Sequence, residues 1–312
     1  MKPPIVSDLL ESKAFNGFLN NHLDAADILS DVRAETSNGV SFEVALRRQQ
    51  DSSNEHIGSK MRFVPIALEQ FFYRVSEDYT NQPENYSALV GRTVGRGITT
   101  AFVTVNYDTI LDQVLCRYRP GPRDNRLRTV GSYVASPDWL LVKLHGSVDW
   151  GYRYGTPTEG IADTLLTQGL RTFDRAEIEV ADDPYGLRIG PAELYPALAL
   201  PVTGKPGFVC HPSHEAALVE LLQDCSNFLF IGFSAKDSDL LDFLTEHVRT
   251  VQRLRIVTAP DDMEGVQKRL HAVAPFRRSL AAILPQHTYT SFTEFVRLGL
   301  GDLANSILGD SD

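Results

Sequence analysis

Four short apolar runs, each closed by glycine or by polar residues, constrain this chain more than any other feature. They are Thr100–Val105, Leu140–Leu144, Asn227–Gly232 and Arg253–Thr258. Runs this short and this apolar fit buried strands better than helices. Helical periodicity follows the first, third and fourth runs, at Thr109–Arg117, Ser238–Val248 and Met263–Ala272, and a further helical stretch, Ser213–Asp224, leads into the third. Such alternation is the signature of βαβ units. It predicts an α/β fold, with a Rossmann-like, mostly parallel sheet flanked by helices.

The remaining sequence organises around that core. Residues 1–97 read as a helical N-terminal part: Ile5, Leu9, Leu10, Phe15 and Phe18 mark one apolar face, and Ile66, Leu68, Phe71, Phe72 and Val75 mark another. Thr36–Gly39 and Asp51–Ser59 read as polar loops between them. Residues 98–312 form the core, with an insertion at about 151–205 that is irregular and rich in Gly, Pro and charge. Phe292–Ile307 reads as a closing amphipathic helix.

Charge and cysteine content narrow the function classes. Forty acidic against 30 basic side chains give a net charge of −10. That field repels a phosphate backbone and argues against direct nucleic-acid binding. Cys116, Cys210 and Cys225 are dispersed and contain no CxxC pair, so they point to neither a disulfide framework nor a thiolate zinc site. A reducing cytoplasm fits this usage. No run reaches the roughly 18–20 apolar residues of a membrane span.

In open α/β sheets, ligands bind at the carboxyl ends of the strands. Three turns there carry chemistry. The first run leads through Asn106 and Asp108, which can fix an amide and a hydroxyl, or simply serve as turn and cap residues. The second ends in His145-Gly146. Histidine titrates near neutrality and suits a general base, and glycine permits close approach of a ligand. A histidine satisfied by local hydrogen bonds is the alternative. The third ends in Gly232-Phe-Ser234, with Asp237 placed to cap the next helix. His211 and His214 are spaced like metal ligands, but Pro212 and the loop-to-helix context favour a helix cap.

TVNYDTIL, KLHGSVDW and IGFSAKDSDLL, in this order across roughly residues 98–260, resemble three motifs of the sirtuin-like NAD-binding proteins. The similarity is greatest to the bacterial branch found in anti-phage defence. The resemblance implies that Asn106 contacts the nicotinamide ribose and orients the attacking water, and that Asp108 holds the carboxamide. It makes His145 the general base. Gly232 and Ser234 would cradle the adenosine ribose, Thr258 would lie near the adenine, and Thr104 and Gly146 would complete the NAD contacts. Deacetylases of the family carry two CxxC pairs and a Gln where this chain has Val105, so the resemblance implies cleavage of NAD to nicotinamide and ADP-ribose rather than deacylation. No metal is expected. A defence-system partner or a homo-oligomer is the implied context. The family's Gly-rich pyrophosphate loop has no counterpart here, because Gly91, Gly95 and Gly97 precede a strand instead of following one. That leaves a catalytically silent nucleotide sensor or scaffold as the alternative.

Overall fold

The computed structural model describes residues 6–80, 84–118, 126–154, 161–168, 170, 172–200, 207–277, 289 and 291–301. The chain opens with six helices: α1 Lys13–Leu19, α2 Leu23–Ser37, α3 Phe42–Gln50, α4 Glu55–Met61, α5 Val64–Thr80 and α6 Glu84–Arg92. Side-chain caps start several of them. Ser12 accepts from the Phe15 amide, Ser41 from the Val44 amide and Asn54 from the His56 amide. Asn54 is the reason that the expected loop at Asp51–Ser59 is largely α4. Leu9, Phe15, Ile28, Leu29, Leu46 and Phe71 gather into a core among α1–α5, and Phe63 packs against both this core and the next.

The expected strands form at Thr100–Thr104 (β1), Trp139–Lys143 (β2), Asn227–Ile231 (β7) and Arg253–Val257 (β8). Between β2 and β7 lie β3 Gly146–Arg153, α8 Ile161–Gln168, β4 Glu179–Val180, β5 Arg188–Ile189, β6 Ala192–Leu198 and α9 Pro212–Asp224. The helix after β1 is α7 Ile110–Cys116; those after β7 and β8 are α10 Ser238–His247 and α11 Pro260–Ala272, and α12 is Phe292–Leu298. The rest of the expected closing helix, beyond residue 301, lies outside the described residues.

The sheets differ from the expectation of one mostly parallel sheet. β1 pairs in parallel with β2, and β7 with β8, as two separate pairs. The largest sheet is antiparallel, in the order β4-β3-β6-β5. Two causes are visible. After β2 the chain does not cross over through a helix: Gly146, at φ +84°, reverses it directly into β3. The stretch expected to be irregular also supplies β4, β5 and β6, which pair around β3, a strand buried on both faces and without the alternation of a half-exposed strand. Trp150, Tyr152, Tyr195 and Ala197 of this sheet belong to the main core, together with Leu141, Val142, Phe228 and Ile256. Among the described residues, no helix is long and apolar enough to cross a membrane.

Candidate functional site

β1 and β2 end side by side, and their first polar residues hold each other. The Leu144 amide donates to the Thr104 carbonyl at 3.0 Å, extending the ladder beyond β2. The Thr104 hydroxyl oxygen accepts the Asn106 amide at 3.0 Å, which turns the chain and leaves Asn106 exposed. Asp108 Oδ1 accepts the Ile110 amide at 3.1 Å, so it serves the first turn of α7. A side-chain hydrogen bond links Asn106 to Tyr86, and burial with Asp108 nearby holds the Tyr86 phenol well above its ordinary range.

The residue between them, Tyr107, turns inward. Its hydroxyl donates to the Ala199 carbonyl at 2.6 Å, and its ring lies 5.3 Å from Phe72 and 6.5 Å from His145. Burial pushes its phenol far up, with Asp237 adding to the effect. Beneath the turn, the Lys143 ammonium donates to both Asp112 oxygens at 3.2 Å and to the Asp108 carbonyl. Lys143 is completely buried. Burial pushes the Asp112 carboxyl up to about 6, against the opposing pull of Lys143. This ion pair ties β2 to α7 and fixes the 105–109 turn from below.

His145 is the junction of the site. Its carbonyl accepts the Ala199 amide at 2.9 Å, and its Nε2 lies 2.6 Å from Asp237 Oδ2. The two side chains are only 12% and 11% exposed. Asp237 Oδ1 accepts the Leu240 amide at 3.2 Å and caps α10. A carboxylate only accepts, so this contact places the imidazole proton on Nε2 and makes Nδ1 the basic nitrogen. Asp237 had been expected only as a cap. Its partner is 92 residues away in sequence, and no local pattern signals such a contact.

The third turn is built from strained backbone. Gly232 sits at φ +62° and Ala235 at φ +54°, and the Gly232 amide donates to the Val257 carbonyl at 2.8 Å. Gly232 and Ser234 are exposed, Thr258 is buried just beyond β8, and Arg269 donates to the Ser234 carbonyl at 2.9 Å. The expected residues thus fall into two groups, Thr104-Asn106-Asp108-His145-Gly146 and Gly232-Ser234-Thr258. The His145–Asp237 contact joins them. Gly146 has a packing reason of its own: a Cβ there would stand 1.8 Å from the Ala197 carbonyl oxygen.

His211 accepts the Ser213 amide through Nδ1 and caps α9, two residues before Ser213. His214 is buried, donating from Nε2 to the Val130 carbonyl at 2.9 Å. Among the described residues, no group of three or more His, Cys, Asp or Glu side chains is placed to hold a metal ion. Two cavities, of about 390 and 490 Å³, lie away from Asn106, Asp108 and His145. The larger reaches Ala199, the residue whose backbone holds His145 and Tyr107.

Short parallel strand pairs with polar turns at their carboxyl ends, joined there by a His–Asp contact, define an α/β protein whose polar residues stand where such sheets bind ligands. The family model of the SIR2-like domain matches residues 100–273, more than half of the chain, and the chain belongs to that family. No curated protein matches it. SIR2-like domains bind NAD.

Proposed function

We propose that the carboxyl ends of β1, β2 and β7 bind NAD and that the chain hydrolyses it to nicotinamide and ADP-ribose. The observation that carries this reading is the 2.6 Å contact of His145 Nε2 with Asp237, beside the exposed Asn106. It supplies an oriented base where the resemblance requires one. In the proposed reaction, Asn106 orients a water toward C1′ of the nicotinamide ribose, and Asp108 holds the carboxamide. The water oxygen bonds to C1′ as the N-glycosidic bond breaks. The bonding pair leaves with the pyridinium nitrogen to give neutral nicotinamide, and His145 Nδ1 takes the water proton and returns it to solvent. Asp237 keeps the imidazole in the required tautomer. The biological setting in this proposal is bacterial anti-phage defence in the cytoplasm, gated by a partner protein or by self-association.

Chromatographic detection of nicotinamide release tests the reading. His145→Ala and Asn106→Ala are expected to slow release by roughly 10²-fold or more; unchanged rates contradict it. A nucleotide-sensing scaffold is the second reading, favoured by Asp108 and Asp237 each accepting a backbone amide of the helix that follows. It requires saturable NAD binding with no nicotinamide release.

A further inference from the structure

The smaller cavity, about 390 Å³, lies between α5 and the segment from Asp183 through β6. Glu69 of α5 lines it. The side chain is 1% exposed, and its Oε1 has no hydrogen-bond partner. Burying a carboxyl without a partner is costly, and such groups are rare enough in native proteins to require a reason. Gln70, Tyr73 and Arg74 come from the same helix; Tyr185 and Arg188 face them. The Tyr73 and Tyr185 rings meet edge to face at 6.3 Å.

Burial, with the Asp149 carboxyl nearby, pushes Glu69 well above the usual carboxyl range. In the protonated form that this burial favours, it offers one O–H donor and one C=O acceptor side by side. A neutral acid of this kind pairs with an amide or amidine edge, which presents the complementary acceptor and donor. The volume falls within the roughly 300–1,000 Å³ of small-molecule sites.

We propose that this cavity is a second ligand site, which takes a flat heteroaromatic ring carrying an amide or amidine edge. Glu69 pairs with that edge, and Tyr73 and Tyr185 wall the ring. Two sources share this chemistry: an adenine base and a pyridine carboxamide. The site is separate from the strand-end turns but only one helix away. Phe72 of α5 lies 5.3 Å from Tyr107, whose ring lies 6.5 Å from His145.

Calorimetric titration of the full chain with adenosine, and separately with nicotinamide, tests the proposal. All proteins carry His145→Ala, so that binding is not confused with turnover. At least one compound is expected to bind. Glu69→Gln keeps a donor beside an acceptor and should hold affinity within a few-fold. Glu69→Leu should lower it at least tenfold without lowering the melting temperature. The exposed Tyr185→Ala should weaken binding several-fold, and it keeps the test open if Glu69→Leu does not fold. The compound whose affinity falls in Glu69→Leu and Tyr185→Ala identifies the source. Binding of neither compound overturns the proposal, as does equal affinity in Tyr185→Ala and whichever Glu69 variants fold. NAD cleavage by the otherwise unaltered chain is read separately, so the second site and the catalytic reading can fail independently.

Discussion

Asp237 divides its two oxygens between two tasks: Oδ1 starts α10 and Oδ2 meets His145. Asparagine separates them. It caps a helix about as well as aspartate, so α10 should start unchanged. Its amide nitrogen would then face Nε2 and draw the imidazole proton to Nδ1, the nitrogen assigned to take the water proton. Asp237→Asn is accordingly expected to cut nicotinamide release by roughly 10²-fold or more while moving the melting temperature by less than about 2 °C. A large drop in melting temperature with unchanged release contradicts the division of labour. The placement of the candidate residues was legible at this scale. Asn106, Asp108, His145, Gly232 and Ser234 all stand at strand ends, where the apolar runs stop. The supporting residues were not. Lys143 ends an apolar strand and Asp112 lies on a helix 31 residues away in sequence. Only the packing of β2 on α7 shows that they pair at 3.2 Å.

At the scale of elements, the decisive joint is the reversal between β2 and β3. Gly146 holds φ +84°, and an added Cβ would stand 1.8 Å from the Ala197 carbonyl oxygen. Neither the angle nor the backbone of β6 can yield cheaply. Gly146→Ala should therefore cost about 3 kcal/mol or more, read as a lower midpoint in chemical denaturation; an unchanged midpoint contradicts the joint. The parallel strands were legible because their apolar runs are unbroken. The antiparallel sheet was not, because Gly151 and Pro196 interrupt its strands and β3 is buried on both faces. Gly151 is there for close packing: a Cβ would meet Leu194 Cβ at 2.6 Å. Composition signalled loop where tertiary burial imposed strand.

At the scale of the molecule, a helical core and an α/β core share one chain, and buried polar groups set its response to pH. Burial lowers the His214 imidazole to about 4, and only the Val130 carbonyl contact opposes this. Between about pH 6.5 and 4 the unfolded chain binds a proton that the folded chain excludes. Stability from this group is therefore present above the unfolded value and lost as pH falls, by up to about 3 kcal/mol. Asp112, raised to about 6 mainly by burial, acts in the opposite sense, its contribution being lost as pH rises through that region. The clean readout is therefore the difference between wild type and His214→Gln, which keeps a donor for Val130. The wild type should lose stability relative to the variant between pH 6.5 and 4; parallel curves contradict the assignment.

The central claim concerns NAD itself. NAD titrated calorimetrically into the His145→Ala protein, where turnover is suppressed, should bind saturably, and adding Asp108→Ala should weaken binding at least tenfold. The absence of saturable binding, or equal affinity in the two proteins, would contradict a nicotinamide site at the ends of β1 and β2.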